Sequence, residues 1–192
     1  MSVLFVNTCV RKNSRTKLLA DYFLSKWNDK DVQEVCPQKE GLHGLDAELL
    51  RIRDQALAEG NLDHPVLSYA SQFSKADTIV IAAPYWDLSF PAALKNYIER
   101  VDAVGVSFAY DEDGNPYGLC AAKQLIYICT AGGPLISDAY GYGYVKALCD
   151  NFYHIEKTVC FCAENLDMPD CDVTKALDHI KAQMDAWIEE NQ

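Results

Sequence analysis

Residues 79–100 read IVIAAPYWDLSFPAALKNYIER, and this stretch decides the fold. An apolar, β-branched run from Ile79 to Ala83 stops at Pro84. A short aromatic turn follows (Tyr85, Trp86, Asp87, Leu88), and Pro91 then opens an amphipathic run through Val101. Proline suits the first turn of a helix, where its missing N–H would have no intrahelical partner. Strand, ringed loop and helix in that order make one unit of an open α/β sheet, which binds ligands beyond the carboxyl ends of its strands. The two adjacent rings suit a planar heterocycle, or equally a buried aromatic turn.

The same alternation extends in both directions. Val3–Asn7 reads as a first strand, and Leu18, Leu19, Tyr22, Phe23 and Trp27 form a stripe at helical period behind it. Asp31–Cys36 is a weak second strand, and residues 45–59 and 65–75 read as helices separated by Gly60 and Pro65. Beyond the Thr78–Ala83 strand and its helix come a strand at Lys123–Thr130 and a helix through Val145–Phe152. A strand at Thr158–Ala163 and an amphipathic helix at Val173–Glu189 close the chain. Five strands alternating with helices predict a parallel, doubly wound sheet of order 2-1-3-4-5 with helices on both faces. The nearly all-apolar central strands fit burial on both sides. A single domain over 1–192 is expected, interrupted at about 104–119 by an irregular hairpin or lid around Asp113-Gly114.

Composition narrows the functions. Apolar residues are 49% of the chain, as a folded protein requires. A net charge of -11 disfavours nucleic acid and anionic membrane as partners. No run is apolar and long enough to span a bilayer, and the N-terminal sequence lacks signal-peptide order, so a cytoplasmic location is expected. The eight cysteines include no C-x-x-C pair or zinc spacing. They read as small buried hydrophobes, with Cys160 and Cys162 on one strand face and no metal site expected.

In the order 2-1-3-4-5 the loops leaving strands one, three and four are neighbours. Thr8–Thr16 brings the hydroxyls of Ser14 and Thr16, the cation of Arg15 and the positive end of a helix, which suits a phosphate or an ordinary N-cap. It contains neither a P-loop nor a dinucleotide glycine motif. Thr130-Ala131-Gly132-Gly133-Pro134 offers glycines that permit close backbone approach, or simply a tight turn. Phosphate cradle, aromatic bed and glycine edge together suit a mononucleotide with a flat ring, such as FMN.

The run APYWDLSFPAALKNYIERVDAVGVSFAY (83–110), with the later G-L and T-A-G-G, resembles the FMN-dependent NADH:quinone oxidoreductases called azoreductases, of the flavodoxin-like superfamily. The resemblance is specific over roughly residues 82–133 and collinear elsewhere. It implies that Ser14, Arg15 and Thr16 match the phosphate-binding helix start, with Cys9 where many relatives have serine. It implies that Pro84, Tyr85, Trp86, Asp87 and Leu88 lie along the isoalloxazine and ribityl chain, where P-M-Y-N-F is usual. Thr130, Ala131, Gly132 and Gly133 match the loop at the pyrimidine end. Asp87 then replaces an amide and would lower the flavin potential, while Ala131 replaces an arginine.

The resemblance further implies a homodimer with shared active sites, in which Phe108–Tyr117 roofs the partner's flavin. Phe108, Tyr110, Tyr140 and Tyr142 are the substrate-slot candidates, although Tyr140–Tyr144 reads equally well as a surface aromatic turn. The implied reaction is two-electron, ping-pong hydride transfer from NADH or NADPH to a quinone or azo acceptor. It takes place at the flavin N5, with no obligatory side-chain acid or base. The alternatives are a flavodoxin-type electron carrier, whose T/S-x-T-G-x-T loop is absent here, and a non-catalytic flavin-binding regulatory module.

Overall fold

The computed structural model describes residues 2–27 and 31–191. Residues 1, 28–30 and 192, which the one-domain expectation includes, lie outside the described residues. The strands are β1 (Ser2–Asn7), β2 (Asp31–Val35), β3 (Thr78–Ala82), β4 (Phe108–Tyr110), β5 (Pro116–Gly118), β6 (Gln124–Thr130) and β7 (Lys157–Ala163). The helices are α1 (Arg15–Lys26), α2 (Ala47–Ala58), α3 (Ser68–Lys75), α4 (Ala92–Val101), α5 (Tyr142–Leu148) and α6 (Val173–Asn191). Five strands form one parallel sheet in the order β2-β1-β3-β6-β7, which is the expected 2-1-3-4-5 with β6 and β7 as fourth and fifth.

Successive residues of a strand point to opposite faces, so each central strand feeds two cores. Leu4, Val6, Ile79, Ile81, Leu125, Tyr127 and Cys129 face α3, α4 and α5, packing with Phe73, Leu94, Tyr97 and Tyr153. Val3, Phe5, Val80, Ala82, Ile126 and Ile128 face α1 and α6, packing with Leu19, Phe23, Ile180 and Met184. Rings bind that second layer together: Phe23 stacks on Trp27 at 5.5 Å and Trp27 on Trp187 at 5.8 Å. Leu18, expected on the buried stripe of α1, is 48% exposed instead, because the face that meets the sheet runs through Thr16, Leu19, Ala20 and Phe23.

The fifth expected helix, through Val145–Phe152, differs from its prediction. α5 starts at Tyr142, and from Cys149 to Tyr153 the chain widens into a π-helical turn that ends on His154 at φ 51°. β4 and β5 pair antiparallel and dock against that turn. Phe108 stacks on Phe152 at 4.6 Å, and a Cβ on Gly118 would collide with the Tyr153 carbonyl. All eight cysteines are free thiols, and Cys129, Cys160 and Cys162 pack on one face of the sheet.

Candidate active site

The sheet's hydrogen-bond ladder continues past the strand ends and brings the carboxyl-edge loops out side by side. Thr8 N–H donates to the Ala82 carbonyl (3.0 Å), Tyr85 N–H to Thr130 (3.0 Å) and Ala131 N–H to Ala163 (2.8 Å). A cleft of about 240 Å³ opens where these loops meet. Its walls include Ser14, Arg15 and Thr16 from the first loop, Pro84, Tyr85 and Trp86 from the second, and Thr130, Ala131 and Gly132 from the third.

Each wall has a structural cause. Ser14 caps α1, its Oγ accepting from Lys17 N–H at 3.2 Å. The N–H groups of Arg15 and Thr16 precede any intrahelical acceptor, and no acidic residue lies in that first turn, so the positive end of the helix dipole faces the cleft. Thr16 is buried, and its hydroxyl shares a 2.7 Å hydrogen bond with Thr130 Oγ1, tying α1 to the end of β6. Beneath the loop, buried Asn7 accepts from Cys9 N–H (3.0 Å) and donates to Glu34 (2.8 Å). Burial opposes the charge of Glu34, but hydrogen bonds from Asn7 and Cys36 and the nearby Lys17 and Lys39 together outweigh it and hold its carboxyl below the ordinary range.

The aromatic loop is a strained turn. Trp86 and Ser89 exchange backbone hydrogen bonds of 2.9 and 2.7 Å, and the residues between them, Asp87 at φ 51° and Leu88 at φ 68°, are both left-handed. Two positive φ values in succession define a type I′ turn, which favours Asn, Asp or Gly; a leucine there is strained. The turn is braced from outside, since Tyr85 Oη donates to the Ser137 carbonyl at 3.3 Å and Ser89 Oγ to the Tyr140 carbonyl.

A fourth loop, unforeseen from sequence, completes the cleft. Asn165, Leu166 and Asp167 N–H groups donate to the Gly133, Ala131 and Gly132 carbonyls at 3.0, 3.1 and 2.9 Å. Asp167 then pairs with Arg15 at 2.7 Å, so the cation of the first loop is ion-paired. Val10, Arg11, Asn13, Leu166 and Asp167 are lining residues that sequence reasoning missed. The signal was available: β7 neighbours β6, so the loop leaving it emerges at the same edge.

The other sequence candidates stand apart from this cleft. Cys9 turns under its loop with Sγ toward the Ala82 carbonyl (3.8 Å), and burial pushes its thiol up to about 11. Asp87 and Leu88 are exposed at the tip of their turn, and Gly133 lies past the lining. Phe108 is buried under the hairpin, while Tyr110 is 48% exposed on it. Tyr142 points inward, its hydroxyl on Thr158 Oγ1 at 2.9 Å, because α5 begins there and turns that position toward the sheet. Tyr140 is 62% exposed beside the turn. A larger groove of about 730 Å³ runs between β2 and α3, but Asp31, Glu34, Glu40 and Asp63 on its walls make it a poor phosphate site.

The chain matches the flavodoxin-like fold family over residues 1–188. It is 37% identical over 169 residues to FMN-dependent NADH:quinone oxidoreductase 2 of Clostridium acetobutylicum, covering 83% of each chain. With the FMN-dependent NADH:quinone oxidoreductase of Coprothermobacter proteolyticus the identity is 32% over 184 residues, 90% of each chain. The chain belongs to this family. Among solved structures, the azoreductase from Bacillus anthracis str. Sterne superposes with a TM-score of 0.82 at 22% identity, covering 99% of this chain and 100% of that one. An FMN-dependent NADH-azoreductase of Bacillus anthracis str. Ames Ancestor, solved in complex with FMN, gives 0.81 at 19% identity over 99% of each chain. Membership of the FMN-dependent NADH:quinone oxidoreductase family makes the protein an oxidoreductase.

Proposed function

We propose that the protein is an FMN-dependent NAD(P)H oxidoreductase that reduces quinones or azo compounds by two-electron, ping-pong hydride transfer in the four-loop cleft. The observation that carries this reading is the convergence, at one sheet edge, of a helix N-terminus, two adjacent rings and a glycine at Gly132. These parts fit the three parts of FMN. The N–H groups of Arg15 and Thr16 and the Ser14 hydroxyl suit the phosphate. Tyr85 and Trp86 suit the ring system, and the Gly132 backbone suits close approach at its polar edge. When bound, FMN would supply the two-electron redox chemistry between nicotinamide and acceptor.

The chain's own residues bind, orient and exclude water. The Thr16–Thr130 hydrogen bond fixes the separation of the phosphate end and the polar edge. The I′ turn, clamped by Tyr85 and Ser89, sets the height of the aromatic wall. No histidine, and no carboxylate other than Asp167, lines the cleft among the described residues, which supports a reaction without an obligatory side-chain acid or base.

Two copies would complete the roof. Val104, Tyr110, Tyr117 and Leu119 are all at least 40% exposed on and beside the docked hairpin, an apolar surface suited to a second copy. Steady-state oxidation of NADH in the presence of menadione, with no partner protein added, tests the enzymatic reading. Sustained turnover supports it. FMN binding with no turnover would favour an electron carrier or a regulatory module instead.

A further inference from the structure

Arg15 and Asp167 come from opposite ends of the chain and meet inside the cleft wall. Arg15 Nη1 donates to Asp167 Oδ1 at 2.7 Å and to the Leu166 carbonyl at 3.1 Å. The carboxylate lies against Gly132, where a Cβ would collide with it. Its position is set by backbone, because the 165–167 loop is hydrogen-bonded to residues 131–133 through three consecutive N–H groups. Among the described residues lining the cleft, Asp167 is the one acid beside two guanidiniums, Arg11 and Arg15.

We infer that Asp167 is a specificity-determining residue that competes with a flavin phosphate for Arg15. A phosphate ester carries close to two negative charges at neutral pH and is a strong acceptor for guanidinium. Bound at the N-terminus of α1, it meets an arginine already paired and a fixed carboxylate of like sign. Asp167 therefore lowers the advantage of FMN over phosphate-free riboflavin and leaves more of the binding to ring and ribityl contacts. It acts on the phosphate mainly through Arg15. The inference rests on the flavin reading of the cleft.

The test is a set of fluorescence titrations with FMN and with riboflavin, on the wild type, Asp167→Asn, Arg15→Gln and the double variant. Asn keeps the backbone bonds and the size of the side chain. Asp167→Asn is expected to tighten FMN by about three- to tenfold while moving riboflavin by less than about twofold, the size of a half-exposed charge pair acting on a dianion. The gain shrinks in the Arg15→Gln background, as a double-mutant cycle requires of coupled groups. In Asp167→Asn, FMN affinity also falls more steeply with salt. An unchanged or weaker FMN affinity, or equal changes for both flavins, overturns the inference while leaving the flavin site intact. A wild type that binds neither flavin overturns both.

Discussion

Leu88 and Gly132 carry the clearest consequences at the residue scale. Leu88 holds φ 68° with its side chain 48% exposed, so little packing compensates the left-handed backbone. Leu88→Gly is expected to raise stability by about 0.5–1 kcal/mol, the steric cost of that region less the flexibility glycine adds to the unfolded chain. A chemical-denaturation midpoint that falls would show the strain is absent. Gly132 has the opposite constraint, since any side chain meets the Asp167 carboxylate. Gly132→Asp adds a second carboxylate beside the first and should abolish FMN retention through purification; normal flavin occupancy would remove Gly132 from the site. The meeting of Ser14, Thr16, Tyr85, Trp86 and Gly132 was legible in the sequence, because the strand order brings the loops that carry them to one edge. Asp167 was not, because an acid in an acidic C-terminal segment looks like solvated surface until the loop folds back.

At the element scale the strands were legible because burial on both faces forces continuous apolar runs, and β3 and β6 could not be anything else. The π-turn after α5 was not legible. Cys149–Tyr153 contains no Gly or Pro to mark a break, and tertiary contacts hold the widened turn: Phe152 is taken by Phe108, and Tyr153 Oη donates to Asp102 at 2.5 Å. Gly118→Ala should undock the hairpin, lowering stability by about 1–3 kcal/mol as overpacking does. A melting temperature within error of wild type would contradict that packing. Asp102 gives a pH signature. Burial raises its carboxyl above the ordinary value, only partly opposed by the Tyr153 hydrogen bond. A raised carboxyl binds its proton more tightly in the folded state, so its contribution is full below the ordinary carboxylate range and is lost as pH rises through the raised value. Asp102→Asn should flatten that decline in thermal melts from pH 4 upward. An unchanged slope would assign the decline to other groups.

At the scale of the whole molecule, sheet order decides which loops meet. The order β2-β1-β3-β6-β7 places the carboxyl ends of β1, β3, β6 and β7 next to one another, and no single loop makes the cleft alone. The surface is acidic, at a net charge of -11, and Arg11 and Arg15 in the cleft wall are a local basic exception to it. If two copies share the roof, light scattering gives the mass of a dimer, and Tyr110→Glu on the exposed hairpin lowers both the mass and the NADH turnover. A monomer with full activity would remove the shared roof and keep the cleft. The most direct measurement is an anaerobic visible spectrum of the purified protein with FMN, before and after NADH and again after menadione. The account predicts a protein-bound flavin band that bleaches with NADH and returns with menadione. A protein that binds no FMN would contradict it.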